Sequence, residues 1–183
     1  MSILRVAQLG HPVLRAEAAP VSLAEIGSAE LNRLIQDMID TMRDYGGVGI
    51  AAPQVRVSKR LFIIEVRSAD RYDNAERYPL TVVLNPTLSF PTDEQHSDWE
   101  GCLSAEGLRG LVPRYRHAHL EGLDETGAPL RRELKGFPAI VAQHEMDHLN
   151  GMVYLDHMKD MTSLMFLDEL RRYHRTTGDE TPS

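Results

Sequence analysis

The sequence predicts a single α+β domain, and three observations carry that reading. Its 183 residues suit one compact unit. Apolar residues recur at helical spacing in some stretches and as short continuous runs in others. The helices and strands so marked do not alternate as βαβ units, which argues against a parallel α/β sheet.

Each element has its own signal. Ser22 followed by Glu25 has the pattern of a capping box at a helix start. Leu31, Leu34, Ile35, Met38, Ile39 and Met42 then make one apolar stripe, read as core and ended by Gly46-Gly47. Residues 61–66 and 81–84 read as short buried strands, with a polar surface loop over 67–79 between them. Residues 117–123 and 130–134 flank the turn-rich Asp124-Glu125-Thr126-Gly127 and predict a hairpin. A second helix begins near Pro138, carries Ile140, Val141, His144 and His148, and stops at Gly151. Leu164, Leu167 and Leu170, spaced by three, suggest a third helix over 162–173. Beyond Arg175 no apolar anchor remains, so the expected domain is 1–175 and the expected frayed tail 176–183.

Composition narrows the function classes. The charge is 20 Lys+Arg against 27 Asp+Glu, a net of −7, with 42% hydrophobic and 26% charged residues. These values argue against a fibre, a disordered regulator and a disulfide-stapled mini-protein. A single cysteine, Cys102, allows no internal disulfide and fits a reducing compartment. The acidic balance argues against broad binding to nucleic acid or to an anionic membrane. No apolar run approaches the roughly 20 residues of a membrane span. Arg5 and Gly10-His11-Pro12 interrupt the opening stretch, so it does not read as a signal peptide. The expected location is the cytoplasm, with no membrane and no specific nucleic-acid site.

The chemically loaded segment is Gln143-His144-Glu145-Met146-Asp147-His148. Two histidines at i and i+4 share one helix face and can bind one metal ion. Glu145 beside the first of them can serve a metal-bound water as general base. The third ligand is less marked. In one large zincin class the pattern runs HExxHxxGxxH; Gly151 is in place here, but the last position is Tyr154. Asp156, Asp160 and Glu169 are downstream carboxylates without any distinguishing pattern. Cys102, in Glu100-Gly101-Cys102-Leu103-Ser104, offers a thiolate instead. A Cys-His-His set leaves a position open for water, the catalytic arrangement. Residues 47–54, GVGIAAPQ, lack the spacing of a phosphate loop and read as a small-residue stretch where a peptide can approach the backbone closely.

GVGIAAPQ at 47–54, EGCLS at 100–104 and QHEMDHLNG at 143–151, in this order and at this spacing, resemble the peptide deformylase family. The openings GHPVLR at 10–15 and LVPR at 111–114 are similar to it as well, so the resemblance covers nearly the whole chain. It implies antiparallel sheets around a central helix that bears the two histidines. It implies one ferrous ion held by Cys102, His144 and His148 and replaceable by nickel, cobalt or zinc. The implied reaction removes the formyl group from the formylmethionine of newly made proteins, releasing formate, with N-formylmethionyl nascent peptides as partners. The resemblance assigns the general base to Glu145 and the oxyanion donors to the Gln54 amide and the Leu103 backbone N–H. Val48, Phe137, Ile140 and Val141 match a pocket for the methionine side chain, and Gly49 offers backbone hydrogen bonds. Glu100 and Arg109 match a buried ion pair bracing the cysteine loop. Glu106 stands where the family commonly has proline, which with Gly107 makes that loop more flexible or alters substrate preference. The C-terminal helix candidate is the segment that would serve ribosome docking, although it is not strongly basic. The rival readings are a metallopeptidase with a downstream third ligand, a peptide-binding protein without turnover, and a hydrolase of another short N-acyl amine.

Overall fold

A computed structural model describes residues 2–67 and 77–174 of the chain. Most of the predicted 67–79 loop and the predicted tail therefore lie outside the described residues. The elements are α1 (Ala29–Asp44), β1 (Gly49–Ala51), β2 (Leu61–Val66), β3 (Tyr78–Ser89), β4 (Gln95–Cys102), β5 (Ala105–Tyr115), β6 (His117–Leu123), β7 (Pro129–Lys135), α2 (Phe137–Leu149), β8 (Met165–Phe166) and α3 (Leu167–Tyr173). Two sheets form, ordered β1-β2-β3-β6-β7 and β4-β5-β8. Every strand pair within them is antiparallel. The α+β expectation is met, and α2 packs against strands of both sheets.

The apolar stripe of α1 faces the core: Leu31, Ile35, Met38, Ile39 and Met42 are buried against Ile50, Leu61, Ile63 and Leu84. The predicted start at Ser22 is not the helix start. Ser22 and Glu25 make only one of the two expected bonds: the Glu25 carboxylate accepts from the Ser22 N–H at 3.0 Å, but it also takes the Ser22 hydroxyl at 2.9 Å, and the Glu25 N–H goes to the Ser22 carbonyl instead. They close a single turn, because Gly27 at φ +77° redirects the chain before the stripe begins. Ser28 is the cap, its hydroxyl accepting from Leu31 N–H at 3.2 Å.

The strand expected over 81–84 is the middle of the longer β3. Asn85, at φ +48°, bends it at a register shift and bonds both the N–H and the C=O of Val21 at 2.8 Å. The 117–134 hairpin forms as expected, its turn held by Asp124 Oδ1 accepting from Thr126 and Ala128 N–H, each at 2.9 Å. The helix expected over 162–173 is a correction. A 3₁₀ turn at Met161–Ser163, capped at its start by Asp160 accepting from Thr162 N–H at 2.8 Å, ends at the extended Leu164; Met165 and Phe166 then pair with β5, and only α3 is α-helical. No residue of α3 is buried, so the leucine spacing had no core face to align with.

Candidate metal centre

α2 supplies two of the ligands. Gly136 starts it, Pro138 sits in its first turn, and all twelve residues from Pro138 to Leu149 are buried. A helix buried on every side must find a partner for each polar group it carries. The partners found here define the site.

Cys102 comes from the end of β4. Its Sγ lies 3.2 Å from His148 Nε2, and the ligand atoms of Cys102, His144 and His148 all lie within 4.8 Å of one another. Ser104 N–H donates to the sulfur at 3.3 Å and the Gln54 amide at 3.4 Å. Burial alone would push the Cys102 thiol up, but the charges of His148 and His144 hold it well below its ordinary range. The pull is mutual: burial lowers His144, and the sulfur and Glu100 raise it well above the usual histidine range. A thiolate and two imidazoles, buried and converging on one point, fit a divalent transition ion with one position left for water.

The second layer fixes the imidazole. His144 Nδ1 lies 2.7 Å from Glu100 Oε2, which leaves Nε2 for the ion. Arg114, 4% exposed on its side chain, donates to both Glu100 oxygens at 2.6 and 3.1 Å and pairs with Asp147 at 2.7 Å. Asp147 in turn pairs with His157 at 3.0 Å. Burial opposes the ionised form of Glu100, yet His144 and Arg114 bring it down to about 2. The expected Glu100–Arg109 pair is thus corrected. The partner of Glu100 is Arg114, while Arg109 lies over the Gly101 backbone and donates to the Leu108 carbonyl at 2.7 Å. Both arginines sit on β5, and nothing in their spacing from Glu100 distinguishes them.

Glu145 is buried, and one of its carboxylate oxygens has no hydrogen-bond partner among the described residues. Burial pushes it up to about 7, with His144 and His148 pulling the other way. A Cβ built at Gly49 would overlap that carboxylate, so any larger residue there requires the Glu145 side chain to shift. Gln54 holds its side-chain oxygen against Ala51 N–H at 2.8 Å, and this aims the amide nitrogen at Cys102 and Ser104 over long contacts of 3.4 Å. Leu103 is half-buried beside Gly47. Val141 is in the core cluster of the large sheet, with Val48 and Phe137 packed against it; Ile140 is buried outside that cluster. Cavities of about 520 Å³, beside α1, and about 450 Å³, behind α2, include none of the three ligands in their walls.

The family model described as polypeptide deformylase matches residues 3–163. The chain belongs to the polypeptide deformylase family. Among its relatives, peptide deformylase 2 of Pseudomonas putida is 43% identical over 165 residues, 90% of this chain and 93% of that one. Peptide deformylase 1 of Nitrosomonas europaea is 44% identical over the same shares. Among solved structures, the Met-Ala-Ser-bound class I type b peptide deformylase of Acinetobacter baumannii superposes with a TM-score of 0.83 at 40% identity, covering 86% of this chain and all of that one. The Synechococcus elongatus deformylase in complex with actinonin gives 0.78 at 33% identity, covering 94% and 86%. As a peptide deformylase, the chain is a metal-dependent hydrolase that removes the formyl group from N-formylmethionyl peptides. No helix among the described residues is long and apolar enough to cross a membrane.

Proposed function

We propose that Cys102, His144 and His148 hold one ferrous ion, which nickel, cobalt or zinc can replace, and that Glu145, Gln54 and Leu103 carry out the deformylation beside it. The ion, when bound, supplies a Lewis acid that acidifies water and polarises the formyl group. Glu145 takes the proton of the attacking water at its unpartnered oxygen and returns it to the departing amine. A carboxylate brought up to about 7 by burial is matched to that exchange. Negative charge gathering on the formyl oxygen is met by the Gln54 amide and the Leu103 backbone N–H. The Gln54 contacts of 3.4 Å are long for hydrogen bonds, so its donor can be given up to substrate.

The peptide binds as an added strand. β1 is the edge of its sheet, paired among the described residues with no strand but β2, and Gly49 presents backbone groups at that edge. Val48, Ile140 and Val141 receive the methionine side chain. The substrates are N-formylmethionyl nascent peptides, met in the cytoplasm. Ribosome docking draws no support from α3, whose charges balance as Asp168 and Glu169 against Arg171 and Arg172.

One observation carries this reading: a buried carboxylate with an unpartnered oxygen, next in sequence to a ligand of a converging Cys-His-His set. The test is formate release from formyl-Met-Ala-Ser by protein purified without oxygen and loaded with ferrous iron, beside acetyl-Met-Ala-Ser. Formate from the first and no acetate from the second is expected. Bound metal with no formate overturns the proposal.

A further inference from the structure

We infer that Tyr154 is a positioning residue for the metal ligand His144, its ring holding the imidazole plane. The inference rests on the ligand set proposed above. It starts from a feature the sequence showed as a mismatch, a tyrosine six residues past His148 where one zincin class has a histidine.

The local chain explains how that position returns to the site. α2 ends at Leu149, and Gly151 at φ +71° reverses the backbone, with Met152 N–H donating to Asp147 C=O at 2.9 Å. A Cβ at Gly151 would stand 2.9 Å from the Arg15 carbonyl, so the reversal is packed against the N-terminal segment. The next four residues, Tyr154–His157, form a 3₁₀ turn held by Asp156, which accepts from Val153 N–H at 2.8 Å and pairs with Arg15 at 2.5 Å. This anchored turn lays Tyr154 back along the metal helix with only 1% of its surface exposed.

Its ring lies on His144. The centroids are 6.0 Å apart and the planes differ by 20°. Tyr154 also joins Cys102, Ala105 and Val112 in a small cluster separate from the main core. The His148 ring also meets His144 edge-on, 5.1 Å away at 79°. The Glu100 bond fixes Nδ1 but leaves the imidazole able to rock about the N–H···O axis, and a roughly parallel ring offset beside it limits that freedom. No protein group among the described residues bonds the Tyr154 hydroxyl, so the ring, and not the hydroxyl, holds the imidazole.

The experiment loads the wild-type protein, Tyr154→Phe and Tyr154→Leu with Co²⁺ and compares visible absorption, the rate of Co²⁺ loss to a chelator, and kcat and KM. Tyr154→Phe should match the wild type in all of these. Tyr154→Leu should fold, show displaced Co²⁺ bands, lose the ion about tenfold faster, and drop in kcat with KM unchanged. A folded Tyr154→Leu with the wild-type bands and off-rate overturns the inference while leaving the ligand set standing. A wild-type protein that binds no Co²⁺ overturns the ligand set and this role together. Where leucine prevents folding, Tyr154→Met, a longer and more adaptable side chain without a ring, takes its place; if that also fails to fold, the residue is structural and the inference falls.

Discussion

The two long helices solve opposite problems. α1 buries seven of its sixteen residues, five of them apolar, and keeps an exposed face; its two buried polar side chains, Asp37 and Thr41, accept from the Ser2 and Leu4 N–H groups, and its stability rests chiefly on one apolar face and two ends. α2 buries twelve of thirteen, among them Gln143, His144, Glu145, Asp147 and His148, and has no solvent face to receive them. Gln143 donates to the carbonyls of Tyr115 and Ala139 at 2.8 and 2.9 Å, and Asp147 and His144 meet Arg114 and Glu100. The difference teaches where the fold is tolerant. A helix with one wet face is specified by itself, whereas a helix buried all round is specified by its neighbours.

The largest effect that sharpens this contrast is expected outside either helix. Gly49→Ala puts a methyl group into the Glu145 carboxylate, so turnover should fall by about a hundredfold or more while metal content stays at the wild-type level. Near-normal turnover would show that the carboxylate can move aside. Next comes Arg114→Met, which leaves Glu100 and Asp147 buried without their shared cation. Urea unfolding should report a loss of about 3–5 kcal/mol, and a loss below about 1 kcal/mol would deny the network its role. On α1 the corresponding change is small. Ser28→Ala removes the helix cap, and the expected cost is about 1 kcal/mol with activity intact.

The smallest effect lies at the other end of α1. Arg43 holds Glu65 through two bonds of 2.9 Å and, by that bond chiefly, keeps its carboxyl below the ordinary range, with burial opposing. A carboxyl lowered in the folded state contributes stability above its unfolded pKa and loses it as pH falls through the folded one. The stability gap between wild type and Glu65→Gln should therefore be present at neutral pH and close on acidification. A gap that stays constant with pH would assign it to packing.

Legibility followed the same divide. The α1 stripe was plain from periodicity because water decides which face is polar. Its start was misread because the Ser22–Glu25 bonds are local and exist equally in a turn; only the direction of the chain at Gly27 tells them apart. β4 and β5 gave no strand signal, since Gly101, Gly107, Gly110 and Pro113 interrupt any alternation, and their pairing comes from tertiary contact. In α2 the metal motif was legible as chemistry and as a resemblance, and periodicity had nothing to add. The partner of Glu100 was not legible, because Arg109 and Arg114 share a strand and only the folded geometry chooses between them. Tyr154 was visible as a departure from a motif, while its return to His144 depended on the reversal at Gly151.

The central claim is that a buried Cys-His-His set holds the metal while Glu145 moves the proton. The most direct measurement is metal content and formate release on one preparation of Glu145→Gln, purified without oxygen and loaded with ferrous iron. One ion per chain with turnover reduced by about 10²–10⁴-fold is the predicted result. Turnover close to wild type would contradict the claim by removing Glu145 from the proton's path, and loss of the ion would contradict it by making Glu145 part of the metal's hold.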